Sequence, residues 1–70
     1  MINVKPGTVL SLTLGGSVAL DAWGRPQHPV VSRVTKRDII AIENVTGDPC
    51  VLRFSRVSGR QRGGFAFIAL

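Results

Sequence analysis

Residues 8–21 read TVLSLTLGGSVALD, an alternating run broken by two adjacent glycines. In the first half every second residue is a leucine, and this period of two predicts a half-buried strand. Two glycines accept the positive φ angles of a two-residue hairpin turn, so the second half is predicted to return antiparallel to the first. The side of the returning strand that faces the core is predicted to carry Val18 and Leu20.

A second hairpin is predicted between residues 39 and 57. Residues 39–45, IIAIENV, form the strongest apolar run of the chain, and both of their faces are apolar. That pattern is typical of a central strand that needs cover on both sides. Residues 46–49, TGDP, form a turn cluster, so residues 50–57 are predicted to pair with residues 39–45.

The return strand of this second hairpin has two different sides. Leu52 and Phe54 alternate onto one side together with Cys50, where a buried and inert thiol is expected. Arg53 falls on the opposite side together with Val51, Ser55 and Val57. That side is predicted to face solvent or a partner.

The fold class predicted from these patterns is all-β. No stretch of the chain has a convincing helical period, and short strands with turn signals every 8 to 12 residues are typical of small β folds. We expect five to six short antiparallel strands, arranged as a small barrel of the SH3-like or OB-like kind or as a compact β-sandwich. Residues 1–70 are expected to form a single domain, with residues 1–6 as a loose N-terminal arm.

The last segment, residues 65–70, reads FAFIAL and contains no charge. Such a segment would promote aggregation as a free edge, so we expect it to be paired within the fold or between subunits. Its aromatic residues have two alternative roles, packing in the core or contacting a partner. The candidate interface residues of this segment are Phe65, Phe67, Ile68 and Leu70.

Charge is concentrated towards the end of the sequence. The chain has 70 residues, with nine Lys and Arg against four Asp and Glu, giving a net charge of +5. Residues 49–70 contain no acid but four arginines, which suit bidentate contact with carboxylates or phosphates. The alternative is a solvated basic face. The candidate contacts for an acidic partner or nucleic acid are Arg53, Arg56, Arg60 and Arg62.

A loop rich in glycine and proline, residues 22–29, supplies a second candidate surface. It contains Trp23 and Arg25, and tryptophan and arginine are enriched at the hot spots of protein interfaces. The alternative is that Trp23 caps the open end of a small barrel. Trp23 and Arg25 are therefore candidate interface residues.

The groups that catalysis or metal binding needs are scarce. One cysteine, Cys50, and one histidine, His28, exclude an internal disulfide and a four-ligand zinc site. We expect no enzymatic activity, no cofactor and no metal. Residues 1–6 lack the features of a secretion signal, and no apolar run reaches the roughly 20 residues that span a bilayer. We therefore expect synthesis in the cytoplasm without secretion, and no membrane partner.

Two hypotheses of function follow from the sequence. The first is a non-enzymatic assembly module that forms homo-oligomers or docks on a larger acidic protein surface. Virion accessory proteins of the capsid decoration, cement or connector type are similarly small and depend on a larger host lattice. The alternative is a nucleic-acid-binding small β-barrel that uses the arginines of residues 53–62.

Overall fold

The computed structural model describes residues 1–45 and 47–69. All secondary-structure elements that it describes are strands, so the all-β prediction is confirmed. The strands are β1 (Leu12–Leu14), β2 (Ser17–Val18), β3 (Val30–Val34), β4 (Asp38–Val45), β5 (Asp48–Ser55) and β6 (Phe67–Ile68).

The strands form two three-stranded antiparallel sheets, in the orders β2-β1-β6 and β3-β4-β5. Backbone contacts outside the ladders link them: Val9 forms a bridge with Val30, and the N–H of Leu10 donates to the carbonyl of Pro29 at 2.8 Å. The described chain is compact, with a radius of gyration of 11.1 Å. Its ladders do not form a closed barrel.

The first hairpin forms where the sequence predicted it. Strand β1 pairs with β2, and the turn between them is Gly15-Gly16. Both glycines have positive φ angles, 60° and 84°, which a residue with a side chain rarely adopts. The two glycines are therefore a requirement of this turn.

The inward side of the returning strand was predicted wrongly. Val18 and Leu20 are exposed, and Ala19 is buried instead. The register pairs Thr13 with Val18, which puts Ala19 opposite the buried Leu12, and residues opposite each other share a face. A two-residue turn fixes this register, so a shift by one residue would turn every side chain over.

The second hairpin is also present, and β4 lies between β3 and β5 as predicted. Its connection is tighter than the predicted 46–49 turn, because Val45 pairs with Asp48 and Pro49 already lies in β5. Thr46 lies outside the described residues. Cys50 is exposed rather than buried, because it pairs with Glu43 near the turn and extends past the core.

The core lies between the two sheets. Phe54 and Ile39 are opposite each other across β4 and β5, and both are fully buried. The sequence predicted that both faces of β4 are covered. On the face that carries Ile40 no second layer packs over the strand within the described residues: Ile40 is 8% exposed, and its neighbours across the sheet are Arg33 and Arg53. The buried core cluster is Ile2, Leu10, Leu12, Ala19, Val31, Ile39, Ala41, Phe54, Ala66 and Ile68.

Residues 1–6 are not the loose arm that the sequence suggested. Ile2 is part of the core cluster, and its N–H donates to the carbonyl of Arg56 at 2.7 Å. Gly59 makes room for it, since a Cβ at this glycine would come within 3.1 Å of Ile2 Cδ1. Gly59 also has a φ of +78°, so space and backbone conformation both favour glycine there.

The C-terminal segment is paired inside the fold, which is one of its two predicted outcomes. Strand β6 pairs with β1, with Ile68 opposite Leu12 and Phe67 opposite Thr13. Ile68 is only 7% exposed, so it is a core residue rather than an accessible interface residue. Leu70 lies outside the described residues.

The two phenylalanines of this segment point the other way. Phe65 is 76% exposed and Phe67 is 42% exposed, whereas Ala66 and Ile68 are buried. The core-packing alternative for the phenylalanines is therefore wrong. An uninterrupted apolar run such as FAFIAL carries no alternation that could have shown which of its sides is inward.

Candidate functional site

The site is built on residues 60–62, which lie between the two sheets. Gln61 forms a bridge with Phe54 of β5, and Arg60 forms a bridge with Phe67 of β6. The N–H of Arg62 donates to the carbonyl of Arg53 in β5 at 2.8 Å. The N–H of Gln61 donates to the carbonyl of Ala66, just before β6, at 2.8 Å. Through these bonds the outer surfaces of both sheets become continuous.

One row of outward side chains crosses this surface. Ile40 of β4 pairs with Arg33 on one side and Arg53 on the other. The bridge and hydrogen bond described above put Arg62 opposite Arg53. Phe65 follows Arg62 after the Gly63-Gly64 turn and lines the same open groove as Arg62. Since partners across a sheet share a face, the row holds three arginines, next to an exposed aromatic ring.

A parallel row runs beside it. Asp38 pairs with Ser55, and the N–H of Ser55 donates to the carbonyl of Arg60 at 2.9 Å. Arg60 is opposite Phe67, and Phe67 is opposite Thr13. This row contributes one exposed arginine and the second exposed phenylalanine.

We refer to the central part of these rows as the arginine–phenylalanine face. An open groove of about 550 Å³ lies along it, with Arg60, Arg62 and Phe65 among its lining residues. The hydroxyl-bearing side chains of Ser55 and Ser58 also line the groove. The face is made up of Arg53, Arg60, Arg62, Phe65 and Phe67.

Asp38 orders part of this face. Its Oδ2 lies 3.6 Å from Nη1 of Arg53, and its Oδ1 accepts a hydrogen bond from Nε of Arg62. Both arginine side chains remain about half exposed, so these surface ion pairs contribute little to stability. One carboxylate against three arginines leaves the face positive. This role of Asp38 could not be predicted from the sequence, because strand pairing is what brings the distant residues together.

Arg56 does not belong to the face, although the sequence grouped it with the other three arginines. Its Nη1 donates to the carbonyl of Thr35 at 3.0 Å, and its Nε donates to that of Ile2 at 3.5 Å. Its backbone N–H donates to the carbonyl of Arg37 at 2.9 Å. Arg56 thus joins the N-terminal segment to the β3–β4 turn. Arg56 is three residues after Arg53, so strand alternation already assigns the two arginines to opposite faces.

Replacing Arg56 with alanine is expected to lower the free energy of unfolding by about 1–2 kcal/mol, because two partly buried carbonyls lose a charged donor. The melting temperature should fall by roughly 4–16 °C for a domain of this size. Thermal unfolding followed by circular dichroism measures the change. Arg60→Ala is the matched control, with an expected effect within about 0.5 kcal/mol. Equal melting temperatures for the two variants would contradict the assigned role.

Trp23 and Arg25 are exposed, but they lie in the loop between β2 and β3 and belong to neither row. The Asp21 Oδ1 accepts hydrogen bonds from the backbone N–H groups of Trp23 at 2.8 Å and Arg25 at 3.0 Å. These bonds, chiefly the one from Arg25, lower the pKa of the Asp21 carboxyl below its ordinary value. Arg25 Nε also lies 3.4 Å from Asp21 Oδ2. The structure therefore does not bring this loop surface together with the arginines.

Three residues with ligating side chains, Asp21, His28 and Glu43, line a second open groove of about 380 Å³. His28 Nδ1 is 3.2 Å from the carbonyl oxygen of Leu10, which gives the ring a structural contact. Within residues 1–45 and 47–69, no group of three or more His, Cys, Asp and Glu side chains could hold a metal ion. The same part of the chain contains no helix of the length and apolarity needed to cross a membrane.

No protein-family model matches the chain, and neither a curated protein nor a solved structure matches it. The chemistry of the arginine–phenylalanine face is therefore the basis on which a function can be argued.

Proposed function

We propose that the protein binds nucleic acid through the arginine–phenylalanine face. The observation that carries this proposal is the placement of three exposed arginines and two exposed phenylalanines on one continuous surface. Guanidinium groups recognise phosphates by bidentate hydrogen bonds, and aromatic rings stack on bases. A surface that offers both groups side by side fits a ligand that carries both phosphates and bases.

Asp38 has a defined part in this proposal. It holds Arg53 and Arg62 in place while the face is free, which limits the side-chain entropy that these residues lose on binding. It also competes with phosphates for the same guanidinium groups. The net attraction of the face for a polyanion is therefore tuned by this single carboxylate.

The test is the salt dependence of binding. A fluorescein-labelled oligonucleotide, single-stranded or duplex, is titrated with the protein by fluorescence anisotropy between about 50 and 200 mM salt. Three phosphate contacts give a slope of log affinity against log salt of about −2.1 for a single strand and about −2.7 for a duplex. Affinity should thus fall by roughly 20- to 40-fold over this range. No binding at the lowest salt, or a slope near zero, would overturn the proposal.

We further propose that the two sheets work as one partly open barrel rather than as a sandwich. The bonds between residues 7–10 and 29–31 support this, as do those of residues 60–62 to both neighbouring strands. Hydrogen exchange tests it: the amides of Val31 and Gln61 should be protected to a similar degree. Fast exchange at Gln61 alone would favour two separate sheets.

A second candidate function is the assembly module, and a separate observation favours it. Three apolar side chains that are more than half exposed occur in or shortly after β2: Val18, Leu20 and Trp23. We propose a second copy of the chain as the partner of this surface, with a larger lattice such as a virus particle as the alternative host. Pairing through β6 is not the route proposed, because Phe67 already has backbone partners on both sides.

Light scattering coupled to gel filtration separates the two candidates. An assembly module gives an oligomer that contains protein alone and persists at high salt, and Leu20→Ser should convert it to a monomer. A monomer at both low and high salt would contradict the assembly function and leave the nucleic-acid proposal standing.

A further inference from the structure

We infer that the ligand of the arginine–phenylalanine face is a single strand, with one base stacked on Phe65, the next on Phe67, and the connecting phosphates held by Arg60 and Arg62. This inference rests on the proposed function and specifies its ligand. A duplex, whose bases are paired and stacked on each other, would be a different ligand of the same face.

The first argument is the exposure of the two rings. Phe65 and Phe67 leave much of their apolar surface in water, although each is next to a residue that is buried. Phosphates offer no favourable contact for such rings, whereas an unpaired base does, since stacking on an aromatic side chain is favourable for every base. On an intact duplex the faces of the bases are covered by their stacked neighbours, so the two rings would have no base face to stack on.

The second argument is the spacing of the rings. Phe65 precedes β6, but exposure alternates from Phe65 to Ile68 as it does in an extended segment. Residues two apart in such a segment are about 6.6–6.8 Å apart along its axis. Successive bases in one strand of a duplex are only about 3.4 Å apart. Bases that stack on Phe65 and Phe67 must therefore be spread to about twice their duplex spacing, which a single strand permits and a base-paired one does not.

The third argument is the position of the arginines. Arg60 is opposite Phe67, and Arg62 and Phe65 line the same groove on either side of the Gly63-Gly64 turn. Side chains directly opposite each other in a sheet have Cβ atoms about 4.5–5.5 Å apart. An arginine at this distance from a phenylalanine can reach the phosphate of a nucleotide whose base is stacked on that ring. Gly63 and Gly64 also line the groove, and the Gln61 side-chain amide packs against Gly64, where a Cβ would come within 2.6 Å of it.

The experiment compares a labelled oligothymidylate of about 12 nucleotides with a duplex of the same length. The wild-type protein should bind the single strand at least about tenfold more tightly. Phe65→Leu, which keeps an apolar side chain but removes the stacking surface, should weaken single-strand binding by about 5- to 150-fold and leave duplex binding unchanged. Phe67→Leu should act in the same direction.

Trp23→Leu is the matched control, because Trp23 is an exposed aromatic residue away from the face. It should leave both affinities unchanged, and circular dichroism should show all three variants folded. Equal affinity for the two ligands, with no effect of Phe65→Leu, would overturn the single-strand inference while leaving the proposed function in place. Absence of binding to either oligonucleotide would overturn both.

Discussion

Replacing Arg53, Arg60 and Arg62 together with glutamine is expected to lower the affinity for a single-stranded oligonucleotide by roughly 100-fold at low salt. Each exposed arginine–phosphate contact is taken to contribute about 1 kcal/mol, because solvent screens the interaction, and three of them give about 3 kcal/mol. The slope of log affinity against log salt should move from about −2.1 towards zero. Fluorescence anisotropy across a salt series measures both quantities.

Two single substitutions make this result specific to the face. Arg60→Gln and Arg25→Gln remove the same charge, but Arg25 lies in the β2–β3 loop and is paired with Asp21. Only Arg60→Gln should reduce the salt slope, by about 0.7. Asp38→Asn should have the opposite effect and increase the affinity. The reason is that it removes the carboxylate that competes with phosphates for Arg53 and Arg62. A triple variant that retains the affinity and slope of the wild-type protein would exclude this surface as the binding site.

Replacing Phe54 with alanine is expected to remove most of the stability of the fold. Phe54 is fully buried, lies opposite Ile39, and forms a bridge with Gln61. A phenylalanine-to-alanine change in a core costs about 3–5 kcal/mol, and a domain of this size has a total stability of roughly 3.5–10 kcal/mol. The melting temperature should fall by roughly 12–40 °C, as measured by circular dichroism or urea unfolding.

The control for this variant is Val57→Ala. Val57 is exposed and follows the end of β5, so its truncation should change the free energy of unfolding by no more than about 0.5 kcal/mol. A Phe54→Ala protein that melts within a few degrees of the Val57→Ala protein would show that the core does not depend on this ring.

Local sequence patterns predicted which segments form strands, but they did not predict for every strand which of its two faces is buried. The alternation of Leu52, Arg53 and Phe54 identified the outward side of β5, and the glycine pair identified the first turn. In that hairpin the inward residue is Ala19 rather than Val18, because cross-strand register decides it and hydrophobicity does not. A small alanine beside two larger apolar residues gives no local sign that it is the buried one.

The candidate site was predictable only in part. Its arginines stood out because no acid accompanies them in the last third of the sequence, yet the structure places Arg56 away from the face, in contact with the Thr35 carbonyl. The position of Phe65 on the same face depends on residues 60–62 pairing with both neighbours. That pairing joins distant parts of the chain, and no periodicity within a single segment encodes it.

The position of residues 60–62 between the sheets restricts how this protein can vary. Binding surfaces on most small domains are carried by loops, which tolerate insertions and deletions and so change ligand readily. Here the arginines stand on backbone that holds the two sheets together, so one inserted residue would break the hydrogen bonds of both neighbours. New ligand preferences could then arise by exchanging side chains at fixed positions or by lengthening the Gly63-Gly64 tip, and a directed-evolution library for this scaffold is best confined to those sites.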